Sequence, residues 1–130
     1  MTSLPSFARS VLVRIAAGLL FIAGAVGSAI AHHGWVWAED GNSELTGVIQ
    51  SAKLGNPHGV LTLVVEGAQW TVEVGQPWRN ERAGLHDSML VKGVKLTVGG
   101  HKSANPKQRV FKAERVFIDG KQFDLYPDRD

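Results

Sequence analysis

The chain holds 130 residues, of which 14 are Lys or Arg, 12 are Asp or Glu and none is Cys. That length leaves little room for more than one small domain, and the lack of cysteine excludes disulfides. Arg9 and Arg14 are the only charges in residues 1–31, so residues 32–130 carry 12 basic against 12 acidic side chains, a balance that excludes a nucleic-acid-binding composition.

Residues 1–31 read as a secretory signal peptide. Arg9 and Arg14 supply the positive region, "IAAGLLFIAGAV" from Ile15 to Val26 is the uncharged core, and Ala29 and Ala31 give the small-x-small pattern before a cut at His32. A membrane anchor is the competing reading, but the apolar run from Ile15 to Ala31 is 17 residues, near the lower limit for a span, and contains three glycines. Cleavage leaves residues 32–130 as one small domain in the periplasm or outside a bacterial cell. Without disulfides, packing must supply its stability.

Residues 34–43 form a polar lead-in with Trp35 and Trp37. Leu45 to Leu54 is the first expected strand, with Gly47 as a candidate bulge. "GNPHG" at 55–59 is a loop, because Gly, Asn and Pro together cannot continue a strand. Val60 to Glu66 is apolar and β-branched, a second strand. Gln69 to Val74 alternates, with Trp70, Val72 and Val74 on one face. "QPWRNERAGLH" at 76–86 predicts a short helix with Pro77 in its first turn and Gly84 at its end. Met89 to Gly99 is the fourth expected strand, 99–108 a polar loop and Arg109 to Ile118 the fifth. "DGK" at 119–121 turns into a tail, Gln122 to Tyr126. Trp70 and Trp78 are expected in the core. Three strands, a short helix and two strands give an all-β fold, a small OB-like five-stranded barrel; a sandwich would need about seven strands.

The histidines carry the chemistry. Cleavage after Ala31 makes His32 an amino terminus, whose α-amine and imidazole Nδ1 close one chelate ring. A further imidazole completes the three-nitrogen histidine brace. Nitrogen ligands in a plane favour Cu(II), which also stands highest in the affinity order of the divalent first-row metals. The amine has a reference pKa near 8, so binding should strengthen with pH. A cut after Ala29 would put His32 third in the chain, which also chelates copper. His33, second after the main cut, is a further ligand. His58 in "NPHG" is the loop ligand, held by Pro57. His101, expected in the loop between the last two strands, could converge with His58, since these loops flank one face of an OB-fold. The competing readings are a solvated pair for His32 and His33, a turn residue for His58, and surface roles for His86 and His101. Trp35 and Trp37 suit packing or an aromatic wall. Glu39, Asp40 and Glu44 are candidate acceptors for imidazole N–H groups. No nucleophile constellation, H-E-x-x-H or phosphate loop is present.

A signal ending in "AHHG", the "LTGVI" strand, the "NPH" loop and the Trp70–Glu73 strand together resemble a family of small secreted bacterial proteins known only as a domain of unknown function. The likeness covers the whole of residues 32–130 except the last loop and the tail "DLYPDRD". It implies export and a small β-barrel and assigns no activity.

These readings converge on a periplasmic copper-binding carrier or buffer with His32, His33 and His58 as ligands, partnered by its metal and by other periplasmic proteins. The alternative is a metal-free, non-catalytic binding or interaction domain. An oxidase resembling the lytic polysaccharide monooxygenases, which also use a histidine brace, is the weakest reading, because a domain this small offers little substrate surface.

Overall fold

A computed structural model describes Ala38 and residues 42–129. The signal-peptide expectation for residues 1–31, and His32, His33, Trp35, Trp37, Glu39 and Asp40, lie outside the described residues. The element order is β1 (Ser43–Lys53), β2 (Val60–Val65), β3 (Ala68–Glu73), α1 (Pro77–Arg82), a 3₁₀ turn (Asp87–Met89), β4 (Lys95–Lys102), β5 (Val110–Ile118) and β6 (Lys121–Asp124).

The first three strands form an antiparallel meander, and β1 also pairs with β4, which pairs with β5. A parallel pairing of β3 with β5, Thr71 against Val110 through Glu73 against Lys112, closes the ring. The barrel therefore runs β1-β2-β3-β5-β4 with α1 between β3 and β4, the OB-like order the sequence predicts. Closure leaves only the short β6 as an appended edge on β5.

Alternation puts one face of each strand inside. Leu45 and Ile49 from β1, Leu61 and Leu63 from β2, Val72 from β3, Leu96 and Val98 from β4, and Phe111, Ala113 and Val116 from β5 are buried. Leu85 and Leu90, from the segment joining α1 to β4, add to this core together with Phe123 and Leu125. Apolar burial of this kind contributes roughly 1.5–3 kcal/mol per side chain.

Four expectations change. Residues 89–94 are not strand: a 3₁₀ turn ends at Met89, Leu90 is buried, and Gly93 turns the chain at φ +92 before β4 starts at Lys95. Strand β4 instead runs on through Gly99, Gly100, His101 and Lys102 into the segment expected to be loop. That is possible because its register shifts there: Gly99 faces Arg115, Gly100 faces Ala113, and Glu114 is the extra residue of a bulge. A Cβ on Gly100 would lie 2.1 Å from the Lys112 carbonyl oxygen, so only glycine fits this approach. The irregularity in β1 falls between Ile49 and Ser51, while Gly47 serves a close approach to the Val64 carbonyl. The expected tail contains a true strand, β6.

Candidate functional site

His58 stands in the β1–β2 loop above the end of β3. Backbone bonds from Gly59 N–H to the Gly75 carbonyl and from Val74 N–H to the Gly59 carbonyl dock the loop there. His58 Nε2 lies 2.5 Å from Glu73 Oε1, with the side chains 29% and 16% exposed. The carboxylate accepts the Nε2–H, which leaves Nδ1 as the other ring nitrogen. The same loop, with Lys53, Leu54, Asn56 and Pro57, lines an open groove of about 430 Å3.

A second histidine–carboxylate pair lies two strands away. His101, on β4, places Nε2 2.8 Å from Oε1 of Glu114, which is 2% exposed. The same oxygen accepts Arg129 Nε at 3.1 Å, and Oε2 receives Arg115 Nη1 at 3.5 Å. The bulge drives this arrangement. Glu114 has no partner on β4, and its carbonyl accepts the N–H groups of Leu125 and Tyr126 from the carboxy-terminal tail.

The register connects the two pairs. Val60 faces Glu73, Glu73 faces Lys112, and Lys112 faces His101. A polar row thus crosses β3, β5 and β4, with Lys112 buried in the middle at 8% exposure. Tyr126 lies by the same row. Burial pushes its phenol pKa up, and the nearby Arg79 pulls against that shift. Sequence reasoning identified His58 and His101 but not Glu73, Lys112, Glu114, Tyr126 or Arg129. Alternation put Glu73 on a polar face; nothing in "FKAERVF" signals that Lys112 and Glu114 are buried.

The expected convergence of His58 with His101 does not occur: each binds its own carboxylate, and two residues of the row separate them. Among the described residues, no group of three or more His, Asp or Glu side chains could hold a metal ion. His86 places Nδ1 2.8 Å from Glu81 Oε2 on the surface, and Glu44 is exposed on β1. Trp70 packs against the core as expected. Trp78 does not; it is 52% exposed, because α1 ends at Arg82, buries Asn80, and leaves the inward apolar contacts to Ala83 and Leu85 in the segment that follows it. The Trp78 indole instead lies over the Arg79 guanidinium at 4.6 Å.

A family model described as that of a family of unknown function matches residues 20–111. No curated protein matches the chain. Among solved structures, the crystal structure of the ZRD-deleted mutant of TiaS in complex with agmatine aligns with 16% identity and a TM-score of 0.45. The alignment covers 66% of this chain and 24% of that one, so this chain spans about a quarter of that protein's length.

Proposed function

The chain belongs to that family of unknown function, DUF6152, and we propose that it acts as an exported copper-binding carrier or buffer without catalytic activity. The ligands are the amine and imidazole of a processed His32, the imidazole of His33 and Nδ1 of His58. The observation that carries this reading is the His58–Glu73 pair. A carboxylate on Nε2 is the common outer partner of a metal-binding imidazole: it sets the tautomer, orients the ring and raises the basicity of the other nitrogen. His58 is then pre-set to offer Nδ1, and the remaining donors come from the amino-terminal arm.

The test begins with the mature amino terminus by mass spectrometry after export, followed by Cu(II) titration with EPR detection. The reading expects a chain starting at His32 and a nitrogen-rich type 2 signal. His58→Ala and amine blocking should each remove that signal, and Glu73→Gln should weaken binding about 10- to 100-fold. Weak binding that is unchanged in all three forms would overturn it.

The groove beside His58 supports a second reading. Its roughly 430 Å3 is far more than an ion requires, which suits a metal-free binding domain that takes a small ligand or a peptide segment at this loop. Under that reading, chelators leave partner binding intact, and substitutions in the Lys53–Val60 loop abolish it.

A further inference from the structure

Between α1 and the carboxy-terminal tail lies a different site. Its pocket of about 110 Å3 is lined by Arg79 and Arg82 on one wall and by Asp124, Leu125 and Asp128 on the other. We propose that this pocket binds a small zwitterion of the free amino-acid class, with its carboxylate on the arginines and its ammonium on the aspartates.

Three features carry the proposal. First, Arg79 is already held in place. Its guanidinium lies over the rings of both Trp78 and Tyr126, with centroids at 4.6 and 4.2 Å, and Nη1 donates to the Leu125 carbonyl at 3.1 Å. Five donors in a rigid plane with one of them used leave an edge suited to a carboxylate. No ion pair to Arg79 is formed among the described residues. Second, opposite charges line this pocket without closing on one another. Neither Arg82 nor Asp128 makes an ion pair among the described residues, and Asp124 accepts only Gln122 Nε2, at 3.1 Å. A simple anion would gain from the arginines but suffer from both aspartates, and a simple cation the reverse. A ligand carrying both charges meets a partner at each end. Third, the pocket is small: its volume of about 110 Å3 is about a quarter of that of the groove beside His58, which suits a compact ligand such as glycine or β-alanine.

The exposed Trp78 also finds a role here. Its ring is one of the two that Arg79 lies over, and this explains a tryptophan on the surface of a six-residue helix. The site shares no residue with the His58 groove, so it stands or falls independently of the copper reading.

The test is an NMR titration of the isotope-labelled full chain with glycine, β-alanine and γ-aminobutyrate, with acetate and methylammonium as single-charge controls. The expected result is a saturable shift of the Arg79 and Arg82 Nε–H signals and of the Asp128 amide with at least one zwitterion. Acetate and methylammonium should bind at least about tenfold more weakly, as should the zwitterion to Arg82→Gln and to Asp128→Asn, since each loses one charge-assisted contact. Both variants lie on the surface, so the amide signals of the barrel core should stay in place and report that they fold. The proposal is overturned if no zwitterion gives a saturable shift, if acetate binds as well as the zwitterions, or if binding survives either substitution.

Discussion

Glu114 shows how much one buried side chain can organise. Its carboxylate is 2% exposed and takes bonds from His101, Arg129 and Arg115, so its removal breaks three contacts in a place water reaches poorly. Glu114→Ala should cost about 3 kcal/mol in urea unfolding, the scale for breaking a buried charge network. Arg129→Ala removes one partner that is itself 30% exposed and should cost less than about 1 kcal/mol. Equal effects of the two substitutions would contradict the geometry. Tyr126 provides a spectroscopic check, since it is the only tyrosine in the chain and absorbance at 295 nm reports it alone. Burial raises its pKa, so above the ordinary tyrosine range the native state keeps a proton that the unfolded state releases. The stability tied to this group is fully present below about pH 10 and is lost as pH rises through the higher native value. The folded protein should therefore titrate at higher pH than the same chain in urea. A lower or equal midpoint would refute the placement of the ring.

At the scale of elements, the bulge in β5 and the tail depend on each other. The extra residue turns the Glu114 carbonyl away from β4 and towards Leu125 and Tyr126. Gly100 makes the bulge possible by letting β4 approach the Lys112 carbonyl. Gly100→Ala would force backbone atoms apart and should cost about 3 kcal/mol or more by thermal unfolding, among the larger effects of a single substitution. Leu125, 1% exposed, anchors the tail, and Leu125→Ala should cost about 2–4 kcal/mol. Trp78→Ala should change stability by no more than about 0.5 kcal/mol despite the size of the residue, because its ring is half exposed. The hydrophobic pattern of α1 could not reveal this. Trp78 and Leu85 are spaced for one helix face, but the helix ends at Arg82 before Leu85 can join that face.

For the whole molecule, closure of the barrel sets which parts open together. Leu61, Val72, Val98 and Val116 come from four strands of one closed core, so their amides should exchange with solvent only through global unfolding. Strand β6 pairs on one side only and should exchange at lower free energy. Native-state hydrogen exchange measures both, and equal protection of β6 and β4 would argue against an appended edge.

Local pattern was enough for much of this architecture. Alternation in Gln69–Val74 and in Arg109–Ile118, the Gly-Asn-Pro loop and the Pro77 helix start are properties of neighbouring residues, and they predicted the strands, the loop at His58 and the barrel order. The site was only partly legible. His58 could be singled out because a histidine in a proline-held loop is visible in five letters. Its partner Glu73 lies 15 positions on, and the pairing follows from the β2–β3 register. The burial of Lys112 and Glu114, the failure of His101 to meet His58, and the joining of Arg82 to Asp128 around one pocket arise from contacts between strands or between helix and tail. Such contacts depend on register, on one bulge and on barrel closure, and none of these can be read from the spacing of residues along the chain.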